Sequence, residues 1–216
     1  MSDSAGTLWS AVLADFREAT ASADPTPGGG SVAGVSATLG LGLVIMALEI
    51  SARRKDAGEP EKTGGLITEA RALMGELSAD ADRDVLAFQD YMAAARLPKL
   101  SEEEKQQRRA ALDAATRRAT EAPLLAGRHI VEALRLAELA APLAHLHVVS
   151  DVGAGAGLLE GALKAMLFNV DVNLPSLSDA GMQAACGQER TALAGQGGEV
   201  AARVLGAVAG RLASRR

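Results

Sequence analysis

Aromatic residues are almost missing from this chain: three Phe, one Tyr and one Trp among 216 positions, or 2%. Sandwiches and barrels are built from aromatic and β-branched runs, and neither kind is plentiful here. An all-β architecture is therefore excluded. Cysteine is as scarce, for a lone Cys186 cannot close an internal disulfide and points to a reducing compartment. The three histidines, His129, His145 and His147, show no zinc spacing such as His-Glu-x-x-His. Positive charge is not in excess either. Twenty-two Lys and Arg against 27 Asp and Glu leave a formal net charge of −5, which argues against a nucleic-acid partner. Met1 to Gly6 carries no basic and apolar leader, so the cytoplasm is the expected location.

What remains is rich in Ala, Leu, Glu and Arg, with 23 Gly. That mixture favours helices whose backbones approach closely. The length suits one domain with a substantial core, spanning 1–216. One run tests for a membrane. No charge falls between Asp24 and Glu49, and Val32 to Leu48 nears the length of a spanning helix. Gly34, Gly40 and Gly42, with Ser36 and Thr38, break its apolar character. The better reading is a helix buried on every side, in a core or at a subunit interface, with no membrane partner.

Periodicity places a first helix over Thr7 to Ala21, with Leu8, Val12, Leu13 and Phe16 on one face. Asp24-Pro25-Thr26-Pro27-Gly28-Gly29-Gly30-Ser31 ends it, because two prolines and three glycines cannot continue a helix. The apolar helix then covers Ser31 to Ala52. Arg53-Arg54-Lys55-Asp56-Ala57-Gly58-Glu59-Pro60 reads as an exposed connection, followed by a long helix from Glu61 to Ala95. Ser101 to Glu104 forms a capping box for the next helix, expected to bend or break near Pro123 and end about Leu139. Ser150 or Asp151 can cap a helix through Val172, and a last one runs from Asp179 towards Arg215. The expected fold is an all-α bundle around a buried, glycine-rich central helix.

Two glycine runs imitate nucleotide motifs and fail. Gly28-Gly29-Gly30-Ser31 lacks the lysine and the spacing of a P-loop. Gly153-Ala154-Gly155-Ala156-Gly157 misplaces the third glycine of a dinucleotide fingerprint and has no βαβ pattern around it. Gly28 to Ser31 fits better as a loop at a helix N-terminus whose free N–H groups can hold a carbonyl or an anion. Asp80 and Asp84 share a helix face at i, i+4, but without a histidine beside them a metal pair is not expected. Polar residues in apolar surroundings are more informative, since a buried polar group without a partner costs about 1–3 kcal/mol. These are Asp151 at a helix head, and Asn169 and Asn173 on one face at its far end. Lys99 follows Pro98 just after the long helix. Taken alone, Asp151 suits an N-cap and Lys99 a solvated loop.

Several segments together resemble the cyclodeaminase/cyclohydrolase family, shared by the C-terminal half of formiminotransferase–cyclodeaminase and by stand-alone methenyltetrahydrofolate cyclohydrolases. They are Pro25 to Ala33, Asp84 to Phe88, Ala95 to Lys99 with Glu103-Glu104-Lys105, Ser150 to Gly153, and Asn169 to Leu174. The set is in the family's order and spans nearly the whole chain. Departures are Ser101 where Thr is common, and His145 and His147 where Asn and Ser are common. The resemblance implies an all-helical homodimer that binds a tetrahydrofolate derivative as substrate, with no prosthetic group. It implies Lys99 and Asp151 as catalytic residues, and Pro27, Gly28, Gly29, Gly30, Ser31, Asn169 and Asn173 as substrate-binding, with Asp84, Gln89 and Asp90 as further lining. Arg53-Arg54-Lys55 is a candidate to attract the glutamate carboxylates of a folate.

The implied activity is hydrolysis of 5,10-methenyltetrahydrofolate to 10-formyltetrahydrofolate, favoured because no formiminotransferase domain is attached. The alternatives are formimidoyltetrahydrofolate cyclodeamination and a non-catalytic, folate-binding helical dimer. Because no ligand set with credible metal spacing is present, dialysis against a chelator is expected to leave turnover unchanged. A loss of rate restored by one divalent ion would contradict this.

Overall fold

The computed structural model describes residues 7–55 and 58–214. The reading of Met1 to Gly6, Asp56 and Ala57 in the charged connection, and the end at Arg215 lie outside the described residues. Those residues form six α-helices and no strand: α1 Leu13–Thr20, α2 Gly29–Ala52, α3 Pro60–Ala95, α4 Glu102–Leu143, α5 Val149–Asn173 and α6 Ala180–Ala213. Short 3₁₀ turns occupy Leu8–Ser10 and Leu174–Ser176.

The starts of these helices follow local chemistry. Pro60 occupies the first turn of α3, where a missing N–H is harmless. Ser101 and Glu104 complete the capping box of α4: the Glu104 N–H donates to Ser101 Oγ (3.1 Å) and the Ser101 N–H to Glu104 Oε2 (3.0 Å). Asp179 caps α6 by accepting from the N–H groups of Gly181 and Met182 at 2.8 and 3.0 Å. At the far end of α4, Arg211 of α6 donates to the free carbonyls of Ala141 and Ala144.

The helices pack as neighbouring antiparallel rods. Ser31 meets Asp84 and Glu49 meets Arg71, so α3 runs back along α2. Asp90 pairs with Arg118 and Asp80 with His129, so α4 runs back along α3. Gly40 of α2 touches Gly155 of α5, where a Cβ at position 155 would lie 2.5 Å from the Gly40 carbonyl oxygen. Between α2 and α3, a Cβ at Gly34 would lie 2.8 Å from the Ala81 Cβ. The core is correspondingly aliphatic: Ala37, Leu41, Val44, Ile130, Leu134, Leu159 and Leu163 are among its buried residues. Dispersion between such small groups requires close backbones, which the glycines permit. Although α2 is long and apolar enough to cross a membrane, 61% of its most apolar window is buried inside the bundle, as in a core helix.

Three expectations are corrected. The first helix is split: Leu8–Ser10 forms a 3₁₀ turn, Val12 is extended, and α1 begins at Leu13. The cause is an attachment to α3, for the Leu8 N–H donates to Asp82 Oδ1 (2.8 Å) and the Trp9 indole N–H to the Ser78 carbonyl (3.0 Å). Val12 and Leu13 consequently point into solvent, 63% and 76% exposed, instead of sharing a buried face. Second, α4 is neither broken at Pro123 nor finished at Leu139. Third, α5 begins at Val149 and no side chain caps it, so Asp151 lies within the first turn rather than at the cap.

The helix contacts make a contrast testable. Gly155→Ala pushes a methyl into backbone and should lower stability by about 1–3 kcal/mol. Gly75→Ala on α3, where a Cβ meets nothing within 4 Å, should raise it by up to about 1 kcal/mol through helix propensity. Urea melts of both variants check this, and a Gly155→Ala protein as stable as wild type would refute the close crossing.

Candidate active site

The loop before α2, the C-terminal part of α3, the middle of α4 and the end of α5 surround a cavity of about 430 Å³. Gly28, Gly29 and Gly30 form one wall, Asp84, Phe88 and Tyr91 of α3 a second, and Thr116, Ala119 and Pro123 of α4 a third. Asn169 and Asn173 close it from α5, with Ser176 after them.

Asp84 stands at the head of α2. The Ser31 hydroxyl donates to Asp84 Oδ2 (2.8 Å), and Ser31 itself is fully buried. Gly28 provides no side-chain cap, so the carboxylate from α3 serves the first turn of α2 in its place. There is room for it because residue 30 is glycine; a Cβ there would overlap the Asp84 carboxyl group. Two influences compete for its proton. Burial raises the pKa above the ordinary carboxylate value, and the hydrogen bonds from the Ser31 side chain and backbone lower it. Burial wins, leaving a cavity-lining carboxyl group suited to exchanging protons.

Asn169 and Asn173 present amides to the same cavity, and they differ. The Asn173 Nδ2 donates to the Ala119 carbonyl (2.8 Å). The Asn169 Nδ2 is buried and has no hydrogen-bond partner. That donor is open to a partner that the chain itself does not supply.

A second, cationic cleft adjoins the first, sharing Tyr91, Thr116 and Ser176 with it. Lys99, Lys105, Arg108 and Arg109 line it, facing one carboxylate, Asp113. Asp113 is already engaged by Arg117 and by the Ser178 hydroxyl. Lys99 is exposed at this rim.

The structure thus brings together Gly28, Gly29, Gly30, Asp84, Asn169 and Asn173, with Ser31 directly behind Asp84. Lys99 belongs to the adjoining cleft. The others lie elsewhere. Pro27 faces an apolar groove between α2 and α5, which Gly28 and Gly29 also line. Gln89 is exposed on α3, and Asp90 pairs with Arg118 (3.1 Å) beside a neighbouring cleft. Asp151 is eighteen residues before Asn169 on one helix, roughly 27 Å away along its axis, so the two cannot share a cavity within one chain. Arg53 to Lys55 follow the opposite end of α2 from the glycine loop, and Arg53 faces Glu49 there. Asp80 and Asp84 do not form a metal pair: buried Asp80 is bound by Arg83 and by His129 Nδ1 (2.7 Å). No group of three or more potential metal-binding side chains occurs among the described residues.

Phe88, Tyr91, Thr116 and Ser176 line the site beyond the residues expected from sequence. Asp84, Phe88 and Tyr91 are spaced i, i+4, i+7, one helical stripe. Two of the five aromatic residues on one stripe beside a carboxylate was an available signal.

Comparison with known proteins places the chain among relatives of known activity. The family model described as formiminotransferase-cyclodeaminase matches residues 12–192. A methenyltetrahydrofolate cyclohydrolase of Methylorubrum extorquens is 35% identical over 165 residues, covering 76% of this chain and 79% of that protein. A formimidoyltransferase-cyclodeaminase of Gallus gallus is 32% identical over 168 residues, covering 77% of this chain but 31% of its own length. The crystal structure of a formiminotetrahydrofolate cyclodeaminase of Thermotoga maritima superposes with a TM-score of 0.82 over 94% of this chain and 98% of that one. At 23% identity that last likeness speaks to the fold. With the family model matching most of its length and a relative this similar along most of both sequences, the chain belongs to the formiminotransferase-cyclodeaminase family.

Proposed function

We propose that the protein is a methenyltetrahydrofolate cyclohydrolase, hydrolysing 5,10-methenyltetrahydrofolate to 10-formyltetrahydrofolate in the cytoplasm. The observation that carries the reading is Asp84, a carboxyl group with a raised pKa on the wall of a cavity that also offers an unpartnered amide and two aromatic rings. The similarity to the M. extorquens cyclohydrolase over most of both chains supports it. The substrate's methenyl carbon carries positive charge shared with N5 and N10. An ionised Asp84 stabilises that cation and takes a proton from an attacking water, giving a neutral hydroxyl adduct. As the C–N5 bond breaks, the proton on Asp84 passes to N5 and the hydroxyl proton leaves to solvent, so one proton is released per turnover. Lys99, on the adjoining cleft, is the group assigned to hold the new oxygen in this reading. Its neighbours Lys105, Arg108 and Arg109, rather than Arg53 to Lys55, are the cations suited to the substrate's glutamate carboxylates.

The similarity to formimidoyltransferase-cyclodeaminases supports a second reading, cyclodeamination, in which protonated Asp84 would assist loss of ammonia. Methenyl absorbance separates the readings with purified protein: it decays if cyclohydrolase substrate is consumed, and grows from formiminotetrahydrofolate if the chain is a deaminase. No change with either would overturn both.

The active unit in this reading is a homodimer with α2 buried on all sides. Leu39, Met46 and Ile50 of α2 are exposed in the single chain, and Leu158 of α5, also exposed, lines an apolar groove that reaches the glycine loop. Pairing through this face about a two-fold axis crossing α2 would bring Asp151 of the partner subunit towards Gly28 and Gly29. Asp151 would then act in catalysis across the interface. The protein should sediment as a dimer at micromolar concentration. Co-refolded mixtures of Asp84→Asn and Asp151→Asn proteins should recover up to about a quarter of wild-type activity, as random pairing gives. Mixtures as inactive as their components would remove Asp151 from a shared site.

Asp84→Asn and Lys99→Met should each lower turnover by ~10²-fold or more. In the wild type, kcat/KM should fall towards acid through a pKa above the usual carboxylate range, because the base must be ionised. The stability effect has the opposite sign. A raised folded-state pKa means that neutral Asp84 favours folding; this contribution is present below the unfolded value and lost as pH rises through the folded one. Above the folded pKa the buried form is the ion, so there Asp84→Asn should melt no lower than wild type. A large drop in its melting temperature would assign Asp84 a structural role instead.

A further inference from the structure

Pro123 sits inside α4 and is buried. A proline has no N–H to give to the carbonyl four residues back, and its ring crowds that carbonyl. The carbonyl concerned is Ala119, which lines the cavity beside Pro123 itself. It is not left open: Asn173, the last residue of α5, donates its Nδ2 to Ala119 O at 2.8 Å across 54 residues of sequence. A bond normally made within one helix is thus made between two.

The consequence falls on the cavity. A side-chain amide free to turn over offers a donor or an acceptor to a ligand with equal ease. Once its nitrogen is committed to Ala119, Asn173 keeps Oδ1 as the group it can offer. Four residues earlier, Asn169 has a buried Nδ2 with no partner. We propose that Pro123 is a positioning residue for substrate recognition: by freeing the Ala119 carbonyl it fixes the Asn173 amide, so that Oδ1 accepts from the adjacent N–H groups of a 2-amino-4-oxopyrimidine edge. Asn169 Nδ2 supplies the donor for the oxo group of the same edge. The inference rests on the folate reading above, which provides a ligand with that donor and acceptor order. A ligand without the N–H groups would leave Oδ1 unpaired and be rejected.

Four proteins test it: wild type, Pro123→Ala, Asn173→Ala and the double variant. In Pro123→Ala the new N–H takes over the Ala119 carbonyl and releases Asn173, so the melting temperature should rise while KM for the methenyl substrate rises ~10-fold and kcat holds within about twofold. Asn173→Ala should show a similar KM, and the double variant should be no worse than Asn173→Ala alone, since the two changes remove one interaction. A wild-type KM in Pro123→Ala, or KM increases that multiply in the double variant, would overturn the proposal. Nitrogen-15 spectra provide a readout that needs no substrate. The Asn173 side-chain NH₂ should exchange slowly in wild type and fast in Pro123→Ala; fast exchange in wild type would remove the link. Calorimetry with tetrahydrofolate distinguishes the two levels of failure. If wild type binds none, the folate reading and the recognition role fall together, whereas tight binding unaffected by either substitution overturns this inference alone.

Discussion

The close approach of α2 to its neighbours is the constraint on which the rest depends. Without aromatic side chains to fill wide gaps, this core gains cohesion by bringing backbones together, and α2 can do so because glycine stands where it meets Ala81 and Gly155. The same device makes the site. At Gly30 the missing side chain leaves the space that the Asp84 carboxyl group fills. Packing and chemistry are therefore two results of one sequence choice along a single helix.

Asp84 shows how that choice sets reactivity. A carboxylate at a helix N-terminus, hydrogen-bonded by a serine, would ordinarily be a strong anion. Here the neighbouring helices also strip away water, and this outweighs the Ser31 hydrogen bonds. The group is held in place by contacts that favour its charge and made basic by surroundings that oppose it. Such opposition between geometry and solvation is a common way to obtain a proton carrier from an ordinary side chain.

Much of this was legible from sequence, and the misses in the fold share one cause. Ser101 and Glu104 announce the start of α4 because a capping box is local. The breaks in periodicity around Gly28 to Gly30 likewise mark both a helix start and a wall of the cavity. What could not be read were events decided by a distant partner. The first helix is divided because Asp82 captures the Leu8 N–H and Ser78 the Trp9 indole. At Pro123, α4 continues because an asparagine on another helix supplies the missing donor. In the site, Asn169 and Asn173 were accessible as polar residues in apolar company, and Asp84 only through the family resemblance. Gln89 and Asp90, close to Asp84 in sequence, point away because a helix turns about 100° with each residue. The cationic cleft was hidden for the same kind of reason, since Lys99 precedes α4 and the arginines lie on it, and only folding joins them.

The attachment of the first segment to α3 has an optical consequence. Trp9 is the single tryptophan, it is 40% exposed, and its indole N–H is tied to Ser78. Indole emission therefore reports on that tether rather than on the aliphatic interior, which contains no tryptophan to observe. A denaturant titration followed by fluorescence will register detachment of the leading segment, while one followed by helical ellipticity will register loss of the bundle. The two midpoints need not coincide, and in this protein a difference between them would measure how independently its first turn lets go.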